Sequence, residues 1–402
     1  MNKTIEGKHL FLAIFLLGFF SNFGISIISP LMGIIRAHLD TTIIWMALIF
    51  GLFPIFRAIA SPICGKFAEK FSMKKMLLGS MLVYTILSFL YMIGNTVVSL
   101  SIIRIIQGIS AGFILPIALT YISIIPNKKE GLGTTIKVII ATMLGLAFGP
   151  LVGGVIYDVF GYYGVFIVMG LIETCGILVV VYWIPEYKQP KGKQEEVILV
   201  RKTFIELLAH NLTRITLLFQ FIALCQMTML LSYLAIYVHD SKIHLTTSQV
   251  GIILFCMIIA MAIVLYPISL LTDKLSKNFK HLYLMVVGMT ITTITMFLFP
   301  FCTNFSSILT IAILLGIGTG LINPPTISNI EYIGKLHGVV FWWSILSMVN
   351  AIAYFIAPLI AAIIVTYIGM NYVFVIFGVF GILTILIGGF QVQRRVNGNI
   401  KW

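Results

Sequence analysis

Twelve apolar runs, each about as long as a lipid bilayer is thick, dictate what this 402-residue chain can become. A hydrocarbon core of about 30 Å takes roughly 20 helical residues. Runs of that order occupy 10–34, 42–63, 76–95, 98–122, 134–157 and 164–184, then 212–238, 248–271, 282–301, 306–329, 339–366 and 371–391. In lipid every backbone N–H and C=O must bond within its own segment, so each run is expected to be an α-helix. Composition agrees: 60% of residues are hydrophobic and only 10% charged, where a soluble domain carries about a quarter charged. Too little polar surface remains to disperse a water-facing globule. The expected fold class is an all-α membrane protein of twelve transmembrane helices. The first run is too long for a cleaved signal and is expected to stay as helix one.

The net charge of +13 raises the question of nucleic acid, and its distribution answers it. The basic residues sit in short gaps between apolar runs and form no single face, which is a topology signal and not a phosphate-binding one. With both termini cytoplasmic, 22 of the 26 basic residues fall on the cytoplasmic side; Arg36 and Lys242 lie outside, and Arg57 and Arg104 lie within runs. The expected location is therefore the cytoplasmic membrane, with the lipid bilayer as solvent and no nucleic-acid partner. Five scattered cysteines show no CxxC spacing and no Cys/His cluster, so no metal site and no cofactor is expected.

An internal repeat organises the helices. A shift of 208 residues lays QGISAGFILP (107–116) over LGIGTGLINP (315–324), GPLVGG (149–154) over APLIAA (357–362), and GYYGVFIVMG (161–170) over GMNYVFVIFG (369–378). A shift of 204 lays GKFAEKFS (65–72) over SLLTDKLS (269–276). The chain is expected to form two six-helix bundles, 1–184 and 212–402, joined by a polar cytoplasmic linker over 185–211. A parallel repeat of this kind encloses a solute path between its halves.

Three motifs carry a family resemblance. The stretch after run two has Gly65, Glu69, Lys70, Ser72, Lys74 and Lys75, with a degenerate copy at Asp273 and Lys274. Run four contains Arg104, Gln107 and Gly108. Run five contains Gly145, Gly149, Pro150, Gly153 and Gly154, whose small side chains let backbones approach while the proline loosens the backbone ladder. Together they resemble the major facilitator superfamily, specifically its twelve-helix drug/proton antiporter-like branch. The resemblance implies that the loop charges act as a conformational gate, that Arg104 serves coupling, and that the run-five glycines mark an exporter. Ser72 departs from the family's second loop glycine, and plain topology charge would also account for the lysines.

Charge inside a membrane is costly and points to function. Arg57 lies eight residues before Gly65, about 12 Å from that helix end at 1.5 Å per residue, where an unpaired cation costs about 2.5 to 3.5 kcal/mol. It is a candidate anchor for an anionic group on a solute. Arg104 lies about 9 Å deep on the same measure, within reach of the interface by snorkelling. Glu173 is the only acid deep within a run, and the family resemblance implies a peripheral position for its helix. Asn22, Ser26, Gln220, Gln226, Tyr233, Asn323 and Asn350 are further cavity candidates, each also explicable as an interhelical hydrogen-bonding group. Glu331, Trp342 and Trp343 are read as interfacial.

These features are read as a secondary transporter that exports a small organic solute by proton antiport, as a monomer. Acid-poor, arginine-bearing helices suit an anionic or zwitterionic solute such as a carboxylate siderophore. Multidrug efflux and proton-coupled uptake are the alternatives within transport. An enzyme lacks the expected HExxH, CxxC or GxSxG patterns, and a sensor lacks an appended soluble domain.

Overall fold

The computed structural model describes residues 7–68, 70–123, 131–187, 211–240, 243, 245–276, 279–337 and 339–396. Among them the regular elements are all helices: α1 (Gly7–Ser26), α2 (Met32–His38), α3 (Ile43–Ala68), α4 (Met73–Leu90), α5 (Val97–Ser123), α6 (Gly131–Trp183), α7 (Asn211–Asp240), α8 (Thr247–Ser276), α9 (Leu282–Leu298), α10 (Phe305–His337), α11 (Val339–Tyr367) and α12 (Tyr372–Val396), with three short 3₁₀ turns. Eleven described segments are long and apolar enough to cross a membrane. One of them, Ile139–Trp183, runs for 45 residues. It is broken at Gly161, where φ of 73° and ψ of −169° leave helical space, so it supplies two crossings and the count reaches the expected twelve. Gly369, at φ 130°, marks the equivalent corner between α11 and α12. Both corners need a backbone conformation that glycine alone adopts cheaply, and they lie 208 residues apart.

The first crossing bends where Pro30 sits in a 3₁₀ turn, Ser29–Leu31, between α1 and α2. Proline lacks the N–H that would continue the ladder, so the helix restarts at Met32.

The chain divides into two compact units. The first comprises Met1–Lys191 with Ser232–Phe255, the second Gly192–Leu231 with Cys256–Trp402. Unit one contains a buried apolar cluster that includes Leu10, Ile14, Leu77, Met81, Tyr121 and Val180, drawn from α1, α4, α5 and α6. Unit two has a matching cluster around Leu212, Phe219, Leu282, Met285, Ile322 and Val392. Outward faces carry exposed Ile86, Leu171 and Leu178 in the first unit and Ile263, Ile294 and Leu386 in the second. Such faces are at home only in lipid.

The repeat recurs as packing. In unit one a Cβ added to Gly108 of α5 would lie 2.5 Å from the Phe53 carbonyl oxygen of α3, and one at Gly112 would lie 2.8 Å from that of Arg57. In unit two a Cβ at Gly316 of α10 would meet the Met257 carbonyl oxygen of α8 at 2.0 Å, and one at Gly320 that of Met261 at 2.9 Å. Each glycine lies 208 residues from its counterpart and each facing carbonyl 204, so the sequence offsets describe one helix crossing built twice.

Candidate functional site

The polar interior of unit one is built on α5. Arg104 is 0% exposed, and its Nε, Nη1 and Nη2 have no hydrogen-bond acceptor among the described residues. Its guanidinium carbon lies 5.7 Å from the ring centroid of Phe53 and 5.8 Å from that of Tyr91. Ring faces attract a cation but do not replace an anion, and a guanidinium cannot shed its charge. The snorkelling route that its depth allows is not taken. One turn on, Gln107 accepts a hydrogen bond from the Tyr91 hydroxyl at 3.1 Å and donates to Ser88 Oγ at 3.3 Å. That fixes the side of α4 against which α5 packs.

Glu173 lies inside the unit as well. The sixth crossing keeps an exposed outer face at Leu171 and Leu178, while the Glu173 carboxylate is 0% exposed and neither of its oxygens has a hydrogen-bond donor among the described residues. The reason is a notch in α1. A Cβ at Gly24 would lie 2.9 Å from Glu173 Oε1 and 2.6 Å from the hydroxyl oxygen of Tyr84. Any larger residue at 24 would fill the space that these two oxygens occupy. Tyr84 is itself fully buried and its hydroxyl has no hydrogen-bond partner among the described residues.

Arg57 is half-buried and donates from Nη1 to Asn22 Oδ1 at 3.0 Å. Asn22 in turn donates to the Gly18 carbonyl and to Ser21 Oγ. Ser26, four residues along the same helix, donates to the Asn22 carbonyl at 3.1 Å and reaches the Gly145 carbonyl at 3.4 Å. The structure thus brings Arg57, Asn22 and Ser26 onto α1 and its neighbours. Arg104, Gln107 and Glu173 share the same unit.

The run-five motif forms a seam with two faces. A Cβ at Gly145 would lie 2.0 Å from the Phe19 carbonyl oxygen, one at Gly149 would lie 2.1 Å from Ser26 Oγ, and one at Gly153 would lie 2.1 Å from the Ile27 carbonyl oxygen. Spacing of four residues stacks these three on one helix face against α1. Pro150 and Gly154 turn the other way. A Cβ at Gly154 would meet the Thr247 carbonyl oxygen at 2.4 Å, and one at Gly251 would meet that of Pro150 at 2.3 Å. Asp158 caps α8 by accepting from Ser248 N–H at 2.8 Å. Near the same end Arg36 is ion-paired to Asp240, and Tyr233 is buried within ring contact of Tyr237.

Unit two holds amides in place of charges. Gln220 donates to Asn323 Oδ1 at 3.2 Å, Asn323 donates to the Thr319 carbonyl at 3.1 Å, and Gln226 donates to the Phe377 carbonyl at 3.0 Å. Asn350 is half-buried on α11. His281, 2% exposed and just before α9, bonds through Nε2 to Asn329 Oδ1 at 2.8 Å, and Asn329 donates to Thr216 Oγ1. Burial pushes the His281 imidazole below its ordinary value, and the bond to Asn329 opposes that.

Of the loop motif, Glu69 lies outside the described residues, as do the side chains of Gly65, Glu331, Trp342 and Trp343. Lys70 is exposed; Lys74 donates to the Val181 carbonyl at 2.8 Å. Ser72 sits at φ −62°, ψ 134°, ordinary extended backbone that needs no glycine, and its hydroxyl bonds to Glu186. In the second copy Asp273 and Lys274 are exposed.

Sequence reading passed over Tyr84 and Gly24. A signal existed for the first: Tyr84, Ser88 and Tyr91 stand at i, i+4 and i+7 in run three and so share one helix face. Gly24 had none, because only its neighbours make it a notch.

A family model described as Major Facilitator Superfamily matches residues 14–341 and 217–400. An uncharacterized MFS-type transporter of Methanocaldococcus jannaschii is 27% identical over 80% of this chain and 82% of its own length. Multidrug resistance protein 1 of Bacillus subtilis is 26% identical over 83% of this chain and 84% of its own. Among solved structures, a bacterial homolog of the human lysosomal transporter Spinster superposes with a TM-score of 0.80 at 13% identity, covering 98% of each chain. The nucleoside transporter NupG gives 0.76 at 14% identity, over 94% of this chain and 98% of its own. At such identities the superpositions speak for the fold alone.

Proposed function

Because this chain belongs to the Major Facilitator Superfamily and is therefore a transporter and not an enzyme, we propose that it is a proton-coupled exporter of a small organic solute. The observation that carries the reading is a buried cation and a buried acid in one unit, Arg104 and Glu173, both 0% exposed and neither hydrogen-bonded among the described residues. A fold keeps unpaired charge inside a membrane when that charge works. Structural ion pairs would be matched and bonded; these are not. Export is supported by the glycine seam of α6, whose pattern resembles that of exporting relatives. In this reading the two sequence halves, with both termini cytoplasmic, alternate access to a solute path.

For the solute, Arg57 with Asn22 supplies a cationic anchor in a chain poor in membrane-embedded acids. That favours an anionic or zwitterionic compound of the carboxylate-chelator type. The names of several relatives, multidrug resistance proteins among them, favour a second reading, efflux of varied lipophilic drugs.

Proteoliposomes loaded with a pH-sensitive dye distinguish these readings, with citrate as the anionic probe and ethidium as the lipophilic cation. The leading reading expects citrate to drive a pH change that Arg57→Gln removes. A response to ethidium alone transfers the assignment to multidrug efflux. Flux of either probe without any proton movement defeats the antiport.

A further inference from the structure

The corner where α1, α4 and the last part of α6 meet has a geometry that general coupling does not require. Gly24 opens a notch, and the two oxygens within 2.9 Å of the position its Cβ would take are Glu173 Oε1 and the Tyr84 hydroxyl. The charged and titratable groups around the notch come from three other helices. Tyr84 belongs to α4 and Tyr91 to the 3₁₀ turn Tyr91–Ile93 that follows it, Arg104 to α5 and Arg57 to α3, and the last three lie within electrostatic reach of the Tyr84 hydroxyl. Tyr84 packs edge-on to Phe53, the ring that also faces Arg104. It thus touches both the notch that holds the buried acid and the ring that faces the buried cation.

We infer that Glu173 and Tyr84 form a proton-binding pair seated in the Gly24 notch, and that the Tyr84 hydroxyl relays the state of the carboxyl to Arg104. This deepens the proton coupling proposed above and rests on it. The chemistry balances as a simple protonation. A proton from water on one side of the membrane forms an O–H bond with a Glu173 carboxylate oxygen, and the same bond later releases it to water on the other side. With the proton bound, the carboxyl is neutral and Arg104 stays over the faces of Phe53 and Tyr91, where its guanidinium carbon lies. With the proton gone, a carboxylate stripped of water and donors is the costlier group. The Tyr84 hydroxyl then turns to donate to it, and Arg104 is drawn off its rings toward the new anion. Loss of one proton thus lowers the net charge of the corner by one and gives α4 and α5 a reason to move against α6.

The direct test needs no transported solute. Infrared difference spectra of the full chain in lipid, between acidic and alkaline buffer, report the carbonyl stretch of any carboxylic acid that loses its proton. A band typical of an acid in apolar surroundings is expected, shifting in heavy water, absent in Glu173→Gln and displaced in frequency in Tyr84→Phe. Should Glu173→Gln fail to fold, Glu173→Asp serves instead, because a shorter acid in the same notch must move the band. A band unchanged in the Glu173 variant that folds overturns the site, and one unmoved in Tyr84→Phe overturns the relay. Failure of the transport reading looks different: the band would be present and lost as expected while proteoliposomes carry no proton flux.

Discussion

The same three-helix corner exists in both units and holds opposite chemistry. In unit one, Gly24 of α1 faces Tyr84 of α4 and Glu173 of α6. In unit two the glycine is on the other partner: Gly381 of α12 faces Thr293 of α9 and Gln226 of α7. Glu173 and Gly381 stand 208 residues apart, the repeat offset. The first corner holds a buried carboxyl without a donor among the described residues, the second a glutamine that donates to the Phe377 carbonyl. The α3/α8 pair behaves alike, with Arg57 and Met261 at matching points of the same crossing. A duplicated scaffold can keep its packing and load charge into one copy, because helix crossings depend on small residues and the chemistry does not.

The seam of α6 offers the hardest way to break that comparison. Gly149, Gly153 and Gly154 correspond to Ala357, Ala361 and Ala362 of α11, all three buried and already bearing a Cβ. Gly145→Ala and Gly153→Ala should each lose about 1–3 kcal/mol or more from overpacking against backbone that cannot step aside. Together they should abolish monodisperse protein in gel filtration. Ala361→Gly should shift stability by no more than about 1 kcal/mol; equal damage from both would mean that the two seams are not different.

Replacing Arg104 by Met separates function from stability. Proton-coupled flux should fall by roughly 100-fold, the scale of losing a buried charge from a working site. The melting temperature should hold or rise, since an apolar side chain of similar size is often the more stable occupant. A sharp drop in melting temperature would make Arg104 a structural residue. Gln226→Leu, the matching change in the neutral corner, should cost about 1 kcal/mol for one hydrogen bond and leave proton coupling intact.

The smallest effect belongs to His281. Its folded value is held below the ordinary 6.5 by burial. The unfolded chain therefore binds the proton more readily, and stability declines as pH falls through that ordinary value. His281→Gln should flatten this acid slope in thermal melts of the purified protein, by up to about 1 kcal/mol. A slope as steep as wild type would assign it to other groups.

Much of the fold was legible because lipid leaves few choices. Run lengths near 20 residues fixed crossings, and Gly161 and Gly369 were already visible as repeated glycines. The run-five glycines were legible as close packing, though nothing in their spacing said that Gly145, Gly149 and Gly153 meet α1 while Gly154 meets Thr247. The site was legible by residue type alone. Arg57, Arg104 and Glu173 stand out against apolar sequence, yet the partners that give them meaning do not.

The sequence by itself determined that this chain lives in a membrane, crosses it twelve times and repeats one six-helix plan. Those outcomes follow from the length, period and polarity of local segments, which need no knowledge of neighbours. Only tertiary structure decided that Glu173 is buried, that Tyr84 shares its notch and that a missing Cβ at residue 24 makes room for both. Burial is a property of the company a side chain keeps, and helices distant in sequence supply that company here.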